Sequence, residues 1–137
     1  MIYLLDTNVL SEQRRPTPDP GVEAWLGQMT TEELRVSVVT IGEIRRGITR
    51  LELRNDHRQA AFYETWFDAT KRLFADCIVP ITAEVAEKWG ERDARRSIPT
   101  AGGLIGATAE IHGWTMVTRN TKDFRHTGVR LLDPFTG

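Results

Sequence analysis

Residues 98–120 read "IPTAGGLIGATAEIHGWTMVTRN". Pro99 and Thr100 make a turn, a run of small and apolar residues follows to about His112, and Gly113 stands where a helix ends on a left-handed residue. "TMVT" then reads as a short apolar strand that gives way to polar groups. The same alternation recurs along the chain. "MIYLLD" is a buried strand with Asp6 at its carboxyl end. After "PTPDP", Asp19-Pro20 reads as an N-cap with proline at the first helical position of "GVEAWLGQM". "LRVSVV" is a β-branched strand, stopped by Thr40, which opens the helix "IGEIRRGITRLEL". A long helix is expected over residues 56–75, with Phe62, Trp66 and Leu73 on one stripe. "CIVPI" is a third strand, Thr82 caps "AEVAEKWGERDARR", and "VRLL" is the last strand. Strands alternating with helices over 1–137 argue for one α/β domain around a mainly parallel sheet.

Composition excludes several classes. The chain has 137 residues, 40% hydrophobic and 27% charged, as in an ordinary globular domain. Its apolar runs are far shorter than the roughly 20 residues of a membrane span. Met1-Ile2-Tyr3 enters a strand without a signal-peptide pattern, and a single cysteine, Cys77, forms no internal disulfide, so a cytoplasmic location and no membrane partner are expected. Net charge is −1, which does not advertise nucleic acid. However, 15 of the 18 basic residues are arginines, grouped at Arg14-Arg15, Arg45-Arg46 with Arg50 and Arg54, Arg92 with Arg95-Arg96, and Arg119 with Arg125. The planar guanidinium suits phosphate oxygens. Solvated helix faces are the plainer reading of any one group.

In a parallel sheet, ligands sit beyond the carboxyl ends of the strands. Asp6, Glu43, Asn120 and Asp123 all fall just after strands, and crowded carboxylates call for a hard divalent ion, Mg²⁺ or Mn²⁺. Such a site acts on water or on a phosphodiester. Each residue also has a structural reading. Thr40–Glu43 and Asn120–Asp123 match the capping box, with Asp123 expected to cap by accepting a backbone hydrogen bond, and Asp6 can cap the segment after it. His57, His112 and His126 lack metal-type spacing, Ser11 and Cys77 lack a nearby base, and no glycine-rich phosphate loop follows a strand. Tyr63, Trp66, Phe67 and Phe74 crowd one helix, either to fill the core or to serve an interface.

"LLDTNVLSE", "SVVTIGEIRRGI" and "PTAGGLIGATAEIHGWTMVTRNTKDF", in this order, resemble a PIN domain. More narrowly they resemble the VapC-type ribonuclease toxins of bacterial type II toxin–antitoxin pairs, including the FitB branch, over residues 1 to about 134. The resemblance implies a three-layer sandwich and a Mg²⁺-dependent endoribonuclease. It also implies a homodimer and a cognate VapB-type antitoxin, which gathers the toxin into a heterotetramer or larger and through which alone operator DNA is bound. The family's acids fall on Asp6 and Glu43, its further position on Asn120, and Thr7, Thr118 and Asp123 support the crevice. Where the family has alanine-aspartate-glycine, this chain reads Ala101-Gly102-Gly103. Gly102 thus occupies a metal-binding aspartate's place, tolerated at what is expected to be a helix N-cap. In the complete site Asp6 and the acid at 102 would hold Mg²⁺, Glu43 would orient the attacking water, and Asn120 would place the ion or the phosphate. Arg45, Arg46, Arg95 and Arg96 would receive the RNA backbone. The expected chain is a ribonuclease toxin with impaired catalysis. Two alternatives stand beside it: a non-catalytic antitoxin-binding protein, and a module that binds RNA without cutting it.

Overall fold

The computed structural model describes residues 1–136; Gly137, the last residue of the expected domain, lies outside the described residues. Five short strands, β1 (Tyr3–Leu5), β2 (Leu34–Ser37), β3 (Ile78–Val79), β4 (Thr115–Val117) and β5 (Arg130–Leu132), form one sheet. Every pairing is parallel and the order is β3-β2-β1-β4-β5. The helices are α1 (Thr7–Glu12), α2 (Pro20–Gly27), α3 (Val38–Leu53), α4 (His57–Leu73), α5 (Ala83–Arg95) and α6 (Thr100–His112).

Successive residues of a strand face opposite sides, and the core divides accordingly. Leu5, Val36 and Val117 join Ile44, Ile48 and Phe67 of α3 and α4 on one face. Leu4 and Met116 join Ile105, Ala109 and Phe124 on the other. The result is the expected three-layer α/β sandwich. Both faces of β1 and β4 are covered, which is why "YLL" and "TMV" are apolar without alternation.

Several expected boundaries hold. Asp19 accepts the Val22 N–H at 3.1 Å, with Pro20 opening α2. Thr82 accepts the Val85 N–H at 3.1 Å. Gly113 closes α6 at φ 70°. Others differ for local reasons. The strand "LRVSVV" ends at Ser37, because the Ser37 hydroxyl accepts the Val39 N–H at 3.0 Å and caps α3. The cap overrides the β preference of Val38-Val39. "CIVPI" retains only Ile78–Val79; Cys77 lies in a 3-10 turn, and Pro80 has no N–H to extend the ladder. On α4 the buried residues are Ala60, Phe67 and Thr70, whereas Phe62 and Leu73 are mostly exposed. The apolar stripe expected at Phe62, Trp66 and Leu73 is therefore not the core face. Phe67 and Phe74 are buried, and Tyr63 and Trp66 pack partly buried against the same core.

Candidate active site

The chain runs β1, β2, β3 to one side of the sheet, then returns to place β4 beside β1. Between β1 and β4 the strand order reverses, and the segments leaving the two strands diverge to open a crevice. Asp6 ends β1 and Thr118 ends β4, locked side by side by the Asp6 N–H donating to the Val117 carbonyl at 2.9 Å. The crevice, about 290 Å³, is lined by Asp6, Thr7, Asn8, Glu43, Pro99, Ala101, Gly102, Asn120, Asp123 and Phe124. The structure thus brings together all the acids and amides singled out in the sequence, with Gly102 among them.

Asp6 is 6% exposed. Its Oδ1 accepts the Thr7 N–H at 2.8 Å, and its Oδ2 accepts the Thr118 hydroxyl at 2.7 Å and the Asn8 Nδ2 at 3.3 Å. Burial raises its pKa above the ordinary carboxylate value; these donors pull it back, and the negative charge of Glu43 adds to the rise. Asp6 does cap α1, as one reading proposed. That cap engages Oδ1 and leaves Oδ2 among polar groups at the crevice.

Glu43 has no capping duty. Because α3 begins at Val38, Glu43 sits in its second turn, beyond the reach of a capping box. Its Oε1 instead accepts the Thr7 hydroxyl at 2.5 Å, and that hydroxyl stands 3.0 Å from the Thr40 hydroxyl. One turn of α1 therefore orients both carboxylates, Asp6 through the Thr7 backbone and Glu43 through the Thr7 side chain.

Asn120 is exposed and donates its backbone N–H to the Thr118 hydroxyl at 3.0 Å. It leads a 3-10 turn, Thr121–Asp123, without a side-chain cap. The Asp123 carboxylate accepts no hydrogen bond among the described residues, so the capping role expected for it is not realised, and it lines the crevice instead. Glu33 completes a capping box on the equally short turn Thr31–Glu33, accepting the Thr30 N–H at 3.0 Å, whereas the Asp123 side chain is one methylene shorter.

Gly102 is not the N-cap. Pro99 is, and Gly102 is the third residue of α6. A Cβ built at Gly102 meets only Phe124 Cζ, at 3.4 Å. At Gly103 it would meet Trp89 Cδ1 at 2.9 Å, and at Gly106 Phe124 Cε1 at 2.9 Å. Packing explains the second and third glycines and leaves the first without a structural reason. The first turn of α6 also holds no acidic residue and no side-chain cap, although a helix N-terminus favours an anion.

The donors suit a hard cation in kind: carboxylates and amide oxygens, two of the acids held by hydrogen bonds. They fall short in number, since no group of three or more His, Cys, Asp or Glu side chains with metal-holding geometry occurs among the described residues. A side chain at position 102 has room to add the missing oxygens.

The basic residues differ from one another in their surroundings. Arg45 forms a two-pronged ion pair with Glu64 at 2.6 and 2.7 Å and ties α3 to α4. Its guanidinium is engaged in that pair, and the side chain remains partly exposed. Arg46, Arg95 and Arg96 are exposed and enter no ion pair among the described residues. Sequence reasoning missed Asn8 and Phe124. Asn8, in the first turn of α1, bridges the strand ends by donating to Asp6 and accepting the Arg119 N–H at 3.3 Å; that second partner lies 111 residues away, so no local signal marked it.

Comparison with known proteins agrees with this geometry. The PIN domain family model matches residues 3–129. The chain is 34% identical to Toxin FitB of Neisseria gonorrhoeae, covering 98% of this chain and 99% of that protein. It is 28% identical to VapC ribonuclease Y4jK of Sinorhizobium fredii, covering 98% of each. The crystal structure of FitAcB from Neisseria gonorrhoeae superposes with a TM-score of 0.84 at 33% identity, covering 97% of this chain and 98% of that one. A structure of FitAB bound to an IR36 DNA fragment gives 0.78 at 32% identity, covering 97% and 95%. A polar crevice at the strand-order reversal, a sheet of this topology and likeness over nearly the whole length lead to one conclusion: the chain belongs to the PIN domain family, in its VapC/FitB branch of toxins.

Proposed function

We propose that residues 1–137 act as one domain, the endoribonuclease toxin of a toxin–antitoxin pair, whose cleavage is disarmed at Gly102. The observation that carries this reading is the crevice itself, with Asp6, Glu43, Asn120 and Asp123 around a helix start that has space for a further carboxylate and none in place. The ribonuclease name of a relative supports the chemistry.

With Glu43 beside it, Mg²⁺ or Mn²⁺ held by Asp6 and an acid at 102 would supply charge neutralisation at the phosphate and a more acidic water. Thr7 occupies Glu43 Oε1, so Oε2 is the atom left to take a proton from the attacking water. The water's oxygen bonds to phosphorus, the bond from phosphorus to the leaving ribose oxygen breaks, and that oxygen takes a proton from solvent to leave as a hydroxyl, while the Asn120 amide donates to a phosphate oxygen. The hydrogen bonds from Thr118 and Asn8 fix the Asp6 carboxylate without further reorganisation.

Gly102→Asp tests this. In Mg²⁺ it should recover on the order of 3–5 kcal/mol of transition-state stabilisation, or roughly 10²- to 10⁴-fold in RNA cleavage. Its expression without an antitoxin should slow bacterial growth, which the present chain should do far less. If the variant binds Mg²⁺ no better and cuts no RNA that the present chain leaves whole, position 102 is not a vacated ligand.

The partners follow the relatives: a VapB-type antitoxin, contact with operator DNA through that antitoxin, and a homodimer. A complex of FitAB with a DNA fragment supports the first two. The lack of a carboxylate at 102 also favours a second reading, a non-catalytic protein that retains antitoxin binding. Tight antitoxin binding together with an inert Gly102→Asp variant would select it.

A further inference from the structure

A second polar cleft of about 280 Å³ lies along α3, lined by Arg14, Gly47, Arg50, Leu51, Arg54, Gln59 and Tyr63. It carries three guanidinium groups and no acid. None of the three arginines enters an ion pair among the described residues, unlike Arg45 on the same helix. Arg14 lies over the Tyr63 ring, 4.7 Å from its centroid, and its Nε is buried without a hydrogen-bond partner. A buried, unpartnered donor costs free energy unless something accepts from it.

The cleft is not isolated from the candidate active site. Glu43, Gly47, Arg50 and Arg54 are spaced by four, three and four residues, which places them on one stripe of α3. At 1.5 Å per residue, Arg50 lies about 10 Å and Arg54 about 16 Å along the helix from Glu43. Helix α1 packs beside α3. Thr7 meets Glu43 at one end of that seam, and Arg14, just past α1, meets the arginine cleft at the other. Gly47 leaves the stripe bare between them, since a Cβ there would have no neighbour within 4 Å.

We propose that this stripe is the track for the sugar–phosphate backbone of single-stranded RNA beside the scissile bond. Arg14, Arg50 and Arg54 take successive phosphates, and with an overall charge of −1 the attraction comes from local basic strips such as this one rather than from the whole chain. The proposal rests on the ribonuclease reading and extends it to where the substrate lies. Arginine forks facing a groove without acids fit a polyanion read by its backbone.

The test measures binding of a short labelled single-stranded RNA by fluorescence anisotropy over a range of salt, which needs no cleavage. Arg50→Ala combined with Arg54→Ala should lower the slope of log affinity against log salt by about 1.4, at roughly 0.7 for each lost phosphate contact. Gly47→Glu, which has room to fold, should weaken binding about tenfold by charge, whereas Gly47→Ala should change it less than about twofold. Unchanged slope and affinity in both the double variant and Gly47→Glu would overturn the track. Placing the double arginine variant on Gly102→Asp separates the two ideas: undiminished cleavage with unchanged KM leaves the ribonuclease standing and removes the track. A double variant that loses an acidic peptide, oligoglutamate, but keeps RNA also overturns the proposal and assigns the cleft to a protein segment.

Discussion

At Asp6, burial and function pull in opposite directions. Burial raises the carboxyl pKa above its ordinary 3.8, with Glu43 adding to the rise against the donors Thr118, Thr7 and Asn8. An acid whose folded pKa lies above its unfolded value makes the folded state less stable above both values, and the penalty fades as pH falls through the folded pKa toward 3.8. Asp6→Asn should therefore raise stability at pH 7, and its advantage should shrink on acidification through that window, as read by urea unfolding at both ends. A constant difference across the window would deny the burial effect. At Gly102 the helix register changes the expected balance. A glycine inside the first turn costs about 0.5–1 kcal/mol relative to alanine, and an acid there gains about 0.3–1 kcal/mol from the helix N-terminus. Repulsion from Asp6 and Glu43 opposes both gains. Without metal, Gly102→Asp should unfold within about 1 kcal/mol of the present chain. Asp6 and Glu43 were legible because each follows a strand; Asn8 was not, since its role depends on bridging to Arg119, which no local pattern encodes.

Elements show where sequence periodicity succeeds and where it misleads. The α6 run "GGLIGATA" holds three glycines that look alike in the sequence, yet they are not equivalent. Gly106→Ala would press a methyl on Phe124 and Gly103→Ala one on Trp89, and overpacking of this kind typically costs about 1–3 kcal/mol. Gly102→Ala should be neutral or up to about 1 kcal/mol stabilising; chemical denaturation of the three variants checks the order. On α4 the stripe through Phe62 and Leu73 has good helical spacing but faces outward. Phe67→Ala should cost about 3–5 kcal/mol, and Phe62→Ala should stay within about 0.5 kcal/mol. Equal losses would put both side chains in the core. Spacing alone could not choose between two parallel apolar stripes, because the choice is made by α3 packing against only one of them. Thr82→Ala should remove the α5 cap at a cost of about 1 kcal/mol. That cap, like Asp19-Pro20 and Gly113, was readable because caps are local chemistry. The Ser37 cap went unread because Val38-Val39 advertises a strand.

Across the molecule, the parallel sheet was legible in the alternation of elements, but the order β3-β2-β1-β4-β5 was not, since nothing local says which strands become neighbours. No helix among the described residues is long and apolar enough to cross a membrane. A ligand at the crevice, which draws on residues that follow both β1 and β4, should stabilise the folded state. At a hundred times its Kd, Mg²⁺ should add about 2.7 kcal/mol to Gly102→Asp and much less to the present chain. Equal rises in Tm would mean that the ion does not use position 102. The strand order has one further consequence, for the making of the protein. The central strand β1 is made before the other four, and its neighbour β4 follows more than a hundred residues later. At about 5–20 residues per second, the ribosome holds β1 half-paired for several seconds or more. During that interval Asp6 has no Thr118 beside it, so the crevice does not exist until the wall that β4 supplies has been made.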